Sequence, residues 1–133
     1  MPDSRAQYFV SLKSKKSIES LFKTGGKIFG KHLMLRFNRV PESGHPPRVV
    51  FAVASRLGAA HERNRIKRRL REALFAVLKK GRVNGTGFDI ALLPKKETAD
   101  LDFGKLCDEL QTALRKLPKT KDARVAPSEA PRP

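Results

Sequence analysis

From Arg63 to Val77 the chain reads RNRIKRRLREALFAV, a stretch whose apolar residues recur at helical spacing. At about 100° per residue, Ile66, Leu70, Ala73, Leu74 and Val77 gather on one side of a helix. Arg65, Arg68, Arg69 and Arg71 spread over the remaining surface, and Lys67 lies nearer the edge. Arg63 precedes Ile66 by three residues and Leu70 by seven, which puts it near the buried side in the first turn. An unpaired cation there faces the positive end of the helix dipole. Any fold for this chain must therefore lay this helix on an apolar surface and find a partner for its charge.

Six of the nine residues Arg63–Arg71 are basic, with one acid on either side, Glu62 and Glu72. A solvated face with long stems lying over apolar surface is one solution. A polyanion is the better one, because two carboxylates cannot neutralise six cations. Arginine outnumbers lysine five to one in this run, and its planar fork suits bidentate phosphate contact. Asn64 adds a neutral group suited to a base edge or a 2′-hydroxyl. The whole chain agrees. Its 133 residues carry 29 Lys+Arg against 13 Asp+Glu, a net charge of +16, which favours nucleic acid as partner. Cys107 is the single cysteine, so an internal disulfide is impossible and a thiolate zinc cluster is excluded. No run of roughly 18 apolar residues and no secretory pattern is present, so a soluble protein of the cytoplasm is expected.

The length suits one domain. Residues 1–11 are expected to be a flexible N-terminal segment, 12–118 a single RNA-binding domain, and 119–133 a disordered basic, proline-rich tail. SKKSIESLFKTGG reads as a short helix capped by Ser14 or Ser17 and stopped by Gly25. HLMLRFNRV alternates as a strand, RVVFAVAS reads as a central strand, and the proline-rich turn at 41–47 suggests that these two form an antiparallel pair. GRVNGTG is a plain connection without the lysine of a phosphate loop. FDIALLP is a third strand, expected to return beside the second through the basic helix. The last helix carries Phe103, Leu106, Cys107, Leu110, Leu114 and Leu117 on one stripe, with Asp100 and Asp102 at its start and Pro118 as its stop. The order is α-β-β-α-β-α, and one sheet covered by helices is the simplest architecture.

At RNRIKRRLREALF the chain resembles the protein component of bacterial ribonuclease P. That family opens a basic helix with Arg-Asn-Arg, here Arg63, Asn64 and Arg65, usually continuing Ile-Lys-Arg, here Ile66, Lys67 and Arg68, and then an arginine, here Arg71. LKSKKSIESLFKTGG is similar to the family's first helix, and RVVFAVASRLGAAHERNR to its second strand and the loop ahead of the motif. The resemblance covers roughly residues 12–117. It implies an α+β fold, an α/β two-layer sandwich whose mixed central sheet contains a left-handed βαβ crossover, as in the ribosomal protein S5 domain 2-like fold. It also implies a function. The chain would be the non-catalytic protein subunit of an endoribonuclease that removes the 5′ leader of precursor tRNA, with the chemistry in the RNA subunit and Mg²⁺ held mainly by that RNA. Arg63, Asn64, Arg65, Lys67, Arg68, Arg69 and Arg71 would bind the catalytic RNA. Lys13, Ile18, Phe22, Arg36, Ser55 and Arg56 would line a cleft for the single-stranded leader.

The chain departs from the family pattern in that cleft. Ile18 stands where the first helix often has an aromatic, Arg36 where an aromatic is common in the first strand, and Ser55 and Arg56 where two lysines are frequent. Less base stacking and more phosphate contact through Arg36 are expected. His32, His45 and His61 show no metal-ligand spacing, and Cys107 on an apolar stripe reads as a core thiol. A small structural ribosomal RNA-binding protein is the alternative of another class. A DNA-binding regulator is disfavoured because no helix at helix-turn-helix spacing precedes the basic one.

Overall fold

The computed structural model describes residues 8–40, 46–83 and 85–117. The expected tail at 119–133 and most of the expected turn at 41–47 lie outside them. The elements are β1 (Val10–Ser11), α1 (Lys15–Thr24), β2 (Gly26–Phe29), β3 (Leu33–Arg39), β4 (Arg48–Phe51), a 3-10 turn (Ser55–Leu57), α2 (Ala60–Lys79), β5 (Phe88–Pro94), a second 3-10 turn (Lys96–Ala99) and α3 (Phe103–Arg115). All five strands form one sheet in the order β1-β4-β5-β3-β2.

Strand alternation divides the side chains between two faces. Leu33, Leu35 and Phe37 of β3, Val49 of β4, and Phe88, Ile90 and Leu92 of β5 pack with Ile66, Leu70, Ala73, Leu74 and Val77 of α2 and with Leu106, Leu110 and Leu114 of α3. The apolar side predicted for the basic helix is the side that lies on this core. The opposite face carries a smaller cluster, in which Leu12 and Leu21 bury Ala91 against Ile18, Val50 and Leu93. The class is the expected α+β, and α1 adds a thin third layer to the two anticipated.

Three expectations change. The strands HLMLRFNRV and RVVFAVAS are not an antiparallel pair. β5 lies between them, antiparallel to β3 from Leu33↔Pro94 to Arg39↔Phe88 and parallel to β4 from Arg48↔Asp89 to Phe51↔Leu92. With apolar residues on both faces, β5 gains most by taking the centre of the sheet. Second, Tyr8–Ser11 is not a flexible stretch. Phe9 is buried, β1 pairs parallel with β4, and Leu12 N–H donates to the Val49 carbonyl at 2.9 Å. Third, GKIF is a strand. Gly25 ends α1 in an extended conformation, φ −63° and ψ 156°, so the chain passes straight into β2 with no intervening turn. Gly26 follows, where the Phe37 ring occupies the space a Cβ would need.

At the far end of β2, the Glu109 carboxylate of α3 holds the turn into β3. It accepts from the His32 and Leu33 backbone amides at 2.6 and 3.0 Å and lies 2.9 Å from His32 Nδ1. α3 begins at Asp102, whose carboxylate accepts from Lys105 N–H at 3.2 Å. Phe103, expected on the apolar stripe, is instead 40% exposed, because it opens the helix before the stripe meets the core.

Candidate nucleic-acid interface

Arg63 has found the partner its position demands. The backbone enters α2 through Gly58, whose φ of 141° suits glycine, and Arg63 Nε donates to the Gly58 carbonyl at 3.2 Å. Two more arginines are also held from within. Arg69 donates through Nη2 to the Leu101 carbonyl, just before α3. The Arg71 guanidinium lies 5.3 Å from the centroid of Phe51 on β4, a cation–π contact. Sequence periodicity placed both on open surface; each is half-buried along a flank of the helix.

Between these flanks runs an open ridge. Asn64, Arg65 and Arg68 are exposed and Lys67 is half-buried. Arg65 Nη1 stands 3.7 Å from Asp100 Oδ1, with both side chains largely in solvent, and an exposed pair of this kind contributes little. The ridge is thus a row of cations on a helix anchored to the core below and tethered along both sides.

On the other face of the sheet, the residues expected to line a cleft are only partly united. Arg36 and Asn38 project from β3 toward α1 and are buried. Arg36 donates through Nη1 to the Phe22 carbonyl at 2.8 Å and through Nη2 to the Gly25 carbonyl at 3.3 Å, and its guanidinium lies 5.9 Å from the Phe22 ring centroid. The expected phosphate contact through Arg36 is therefore corrected. Its fork is committed to the carbonyls that α1 leaves unpaired at its C-terminus. Asn38 Nδ2 donates to Ser20 Oγ at 3.1 Å, and Asp89 takes a bidentate pair from Arg48 at 2.7 and 3.0 Å. Arg36 and Asn38 thus fasten α1 to the sheet, while Arg48 and Asp89 tie β4 to β5.

Ile18 packs beside Leu93 in the α1 cluster, and Phe22 is 37% exposed at its margin. Lys13 is exposed in the link between β1 and α1, and Ser55 and Arg56 are exposed in the 3-10 turn after β4. Because β4 and β5 run parallel, that turn, the second 3-10 turn and the start of α2 all lie at one end of the sheet. Ser55 and Arg56 therefore stand at the same end of the sheet as the start of the basic helix.

An Arg36→Ala chain should lose about 2 kcal/mol of unfolding free energy, since hydrogen bonds from a charged donor contribute roughly 1.5–3 kcal/mol. Arg36→Lys, which cannot fork to both carbonyls, should recover only part of this. Urea unfolding monitored by circular dichroism measures both.

A cavity of about 520 Å³ lies between the β2–β3 turn and α3, lined among others by Ile28, His32, Lys105, Glu109 and Lys116. None of the residues expected from the sequence lines it. His61 is exposed in the first turn of α2, and His45 lies outside the described residues. Cys107 packs against the main core. Burial raises its thiol pKa, Asp108 raises it further and Lys80 opposes, so the thiol is poorly suited to act as a nucleophile. Among the described residues no three His, Cys, Asp or Glu side chains are placed to hold a metal ion, and no helix is long and apolar enough to cross a membrane.

The family model described as Ribonuclease P matches residues 7–118. The chain belongs to the ribonuclease P protein family. Among its curated relatives, the ribonuclease P protein component of Finegoldia magna is 33% identical over 110 residues, covering 80% of this chain and 89% of the relative. That of Syntrophus aciditrophicus is 31% identical over 109 residues, covering 81% and 87%. The solved structure of the ribonuclease P protein from Thermotoga maritima matches with a TM-score of 0.69 at 24% identity, over 82% of this chain and 98% of that one. The Staphylococcus aureus protein matches with 0.64 at 22%, over 81% and 93%. The two structures share the α+β fold described above.

Proposed function

We propose that this chain is the protein subunit of ribonuclease P, an endoribonuclease that removes the 5′ leader of precursor tRNA in the cytoplasm. The ridge of Asn64, Arg65, Lys67 and Arg68 on α2 carries this reading. Among the described residues its cations meet only one acid, the exposed Asp100 beside Arg65, and ribose-phosphate is the natural counterpart for the rest. The ridge binds the catalytic RNA. Arg63, Arg69 and Arg71 position the helix through their internal contacts. The cleft beside α1, with Ile18 and Phe22 on its helical wall, receives the single-stranded leader. Lys13, Ser55 and Arg56 stand around it.

In this proposal the protein performs no bond cleavage. Magnesium, which would supply Lewis-acid and water-activating chemistry when bound, is assigned in this reading mainly to the RNA subunit. The side chains here bind, neutralise and orient. Binding the leader favours precursor over mature tRNA. Neutralising phosphates lowers the magnesium concentration needed for the RNA to fold and act.

Reconstitution with the catalytic RNA tests the proposal. At low magnesium the chain should raise the rate of precursor cleavage well above that of RNA alone, and the advantage should shrink as magnesium is increased. Equal rates with and without the protein at low magnesium would overturn it.

A further inference from the structure

We propose that the open edge of β2 and the flank of α3 beside it form a docking groove for an extended acidic segment of another protein. This surface is separate from the α2 ridge and from the leader cleft, and no residue assigned to either lines it. The proposal depends on neither.

β2 is the last strand of the sheet and pairs only with β3. Gly30 N–H donates to the Leu33 carbonyl at 2.8 Å. Bonded and non-bonded pairs alternate in an antiparallel ladder, so Ile28 with Leu35 and Gly26 with Phe37 are the bonded ones. Lys27 and Phe29 therefore turn their N–H and C=O groups outward, away from β3. Such a row is a template for a further strand. Lys27 is the one charged side chain that guards it, and Phe29 at its end is 69% exposed.

The second wall is α3. A cavity of about 520 Å³ is bounded by Ile28, Phe29 and Lys31 on one side and by Lys105, Thr112 and Lys116 on the other. From Lys105 to Lys116 the helix rises roughly 16 Å, the span of about five strand residues. Ile28 faces the main core, so the side chain that an added strand sets beside it enters this cavity. A strand edge running along a helix flank is the arrangement by which edge-strand modules take extended peptides. The groove is also preformed. Glu109 grips the β2–β3 turn through the His32 and Leu33 amides, and a Cβ on Gly30 would come within 2.5 Å of Glu109 Oε2. A site that needs no rearrangement gives up little freedom on binding.

Charge selects the occupant. Lys27, Lys31, Lys105 and Lys116 are all exposed. Of the two carboxylates on the cavity lining, Glu109 is committed to the turn, which leaves Asp108. Four cations against one acid favour acidic residues in the incoming strand, alternating with apolar ones that reach the space beside Ile28. Single-stranded RNA is the competing occupant of a cationic surface. It carries no regular ladder of amides to match the outward groups of Lys27 and Phe29, and that match favours a peptide.

The probe is a fluorescent peptide, Glu-Val-Glu-Leu-Glu-Val-Glu, titrated into the full chain alone and into the holoenzyme reconstituted with the catalytic RNA. Anisotropy gives the affinity, and amide NMR of the free chain gives the location. The acidic peptide should bind roughly tenfold more tightly than Lys-Val-Lys-Leu-Lys-Val-Lys, because several exposed charge pairs add. The Lys27 and Phe29 amides should shift most. Lys27→Pro removes an outward N–H, which an edge position tolerates, and should weaken binding roughly 5- to 10-fold. Lys27→Gln keeps that N–H and should lose only about 2-fold. Thr112→Trp, filling the groove from an exposed position on α3, should abolish binding. All three variants should melt within a few degrees of wild type and support precursor cleavage as wild type does.

No saturable binding of the acidic peptide, equal affinity for the lysine peptide, or unchanged affinity in both Lys27→Pro and Thr112→Trp would overturn the proposal. Loss of peptide binding in the holoenzyme, or displacement by a single-stranded oligonucleotide, would overturn it by assigning the edge to RNA. A dimer of the chain that Lys27→Pro dissolves would overturn it by assigning the edge to a second copy.

Discussion

Replacing Arg65, Lys67 and Arg68 together by alanine should weaken binding to the catalytic RNA by roughly 10²–10³ at low salt while leaving the fold intact. Each of these side chains projects from the ridge of α2 rather than into an internal bond that the fold requires. A charge-assisted hydrogen bond to phosphate contributes about 1.5–3 kcal/mol, and partial compensation by neighbouring cations keeps three of them below additivity. Salt dependence gives a sharper reading. Each phosphate contact contributes about −0.7 to −0.9 to the slope of log affinity against log salt, so the triple variant should show a slope shallower by about 2 to 3. Surface changes of this kind move stability by about ±0.5 kcal/mol each, so the melting temperature should fall by only a few degrees. Filter binding between 50 and 200 mM salt, with a thermal melt of the same samples, measures both. An unchanged slope would mean that the ridge meets water rather than phosphate.

Leu70→Ala, two residues from Arg68 on the same helix, should do the reverse. Leu70 is fully buried in the core shared by α2, α3 and the sheet. Truncating a buried leucine costs about 3–4 kcal/mol, because the lost transfer energy is joined by the cavity left behind. For a domain of this size that corresponds to a fall of about 10–15 °C in melting temperature. Every cation remains, so affinity for the RNA measured well below the transition should stay within a few-fold of wild type. The contrast between adjacent turns of one helix separates what carries charge from what holds it in place. A Leu70→Ala chain that melts like wild type would contradict the packing described here.

Most of this arrangement was legible in the order of residues, and the exceptions share a cause. Helical periodicity located the stripe of Ile66, Leu70, Ala73, Leu74 and Val77 and the three main strands, because those patterns are local and repeat several times. β2 escaped because GKIF is only four residues long and follows two glycines that look like a stop. Gly25 is extended rather than left-handed, and the demand for glycine at 26 comes from the Phe37 ring on the neighbouring strand. β1 escaped for a similar reason: two residues of strand have no periodicity, and only the waiting edge of β4 makes them one. Of the candidate site, the helical course of Arg63 to Arg71 and its apolar side were legible, but which arginines are held by internal partners was not.

The sequence determined that a basic helix with one apolar side lies on a sheet and that its excess of cations calls for a polyanion, since side-chain spacing and net charge are properties of the chain itself; the α+β class was implied by the family resemblance of the Arg-Asn-Arg helix. Tertiary structure decided that β5 separates β3 from β4, that Arg36 serves α1 while Phe29 faces solvent, and that Arg69 and Arg71 are tethered where Arg68 is exposed. Those outcomes depend on which distant carbonyl, ring or strand edge comes within reach, and such partners lie from 11 to 61 residues away along the chain.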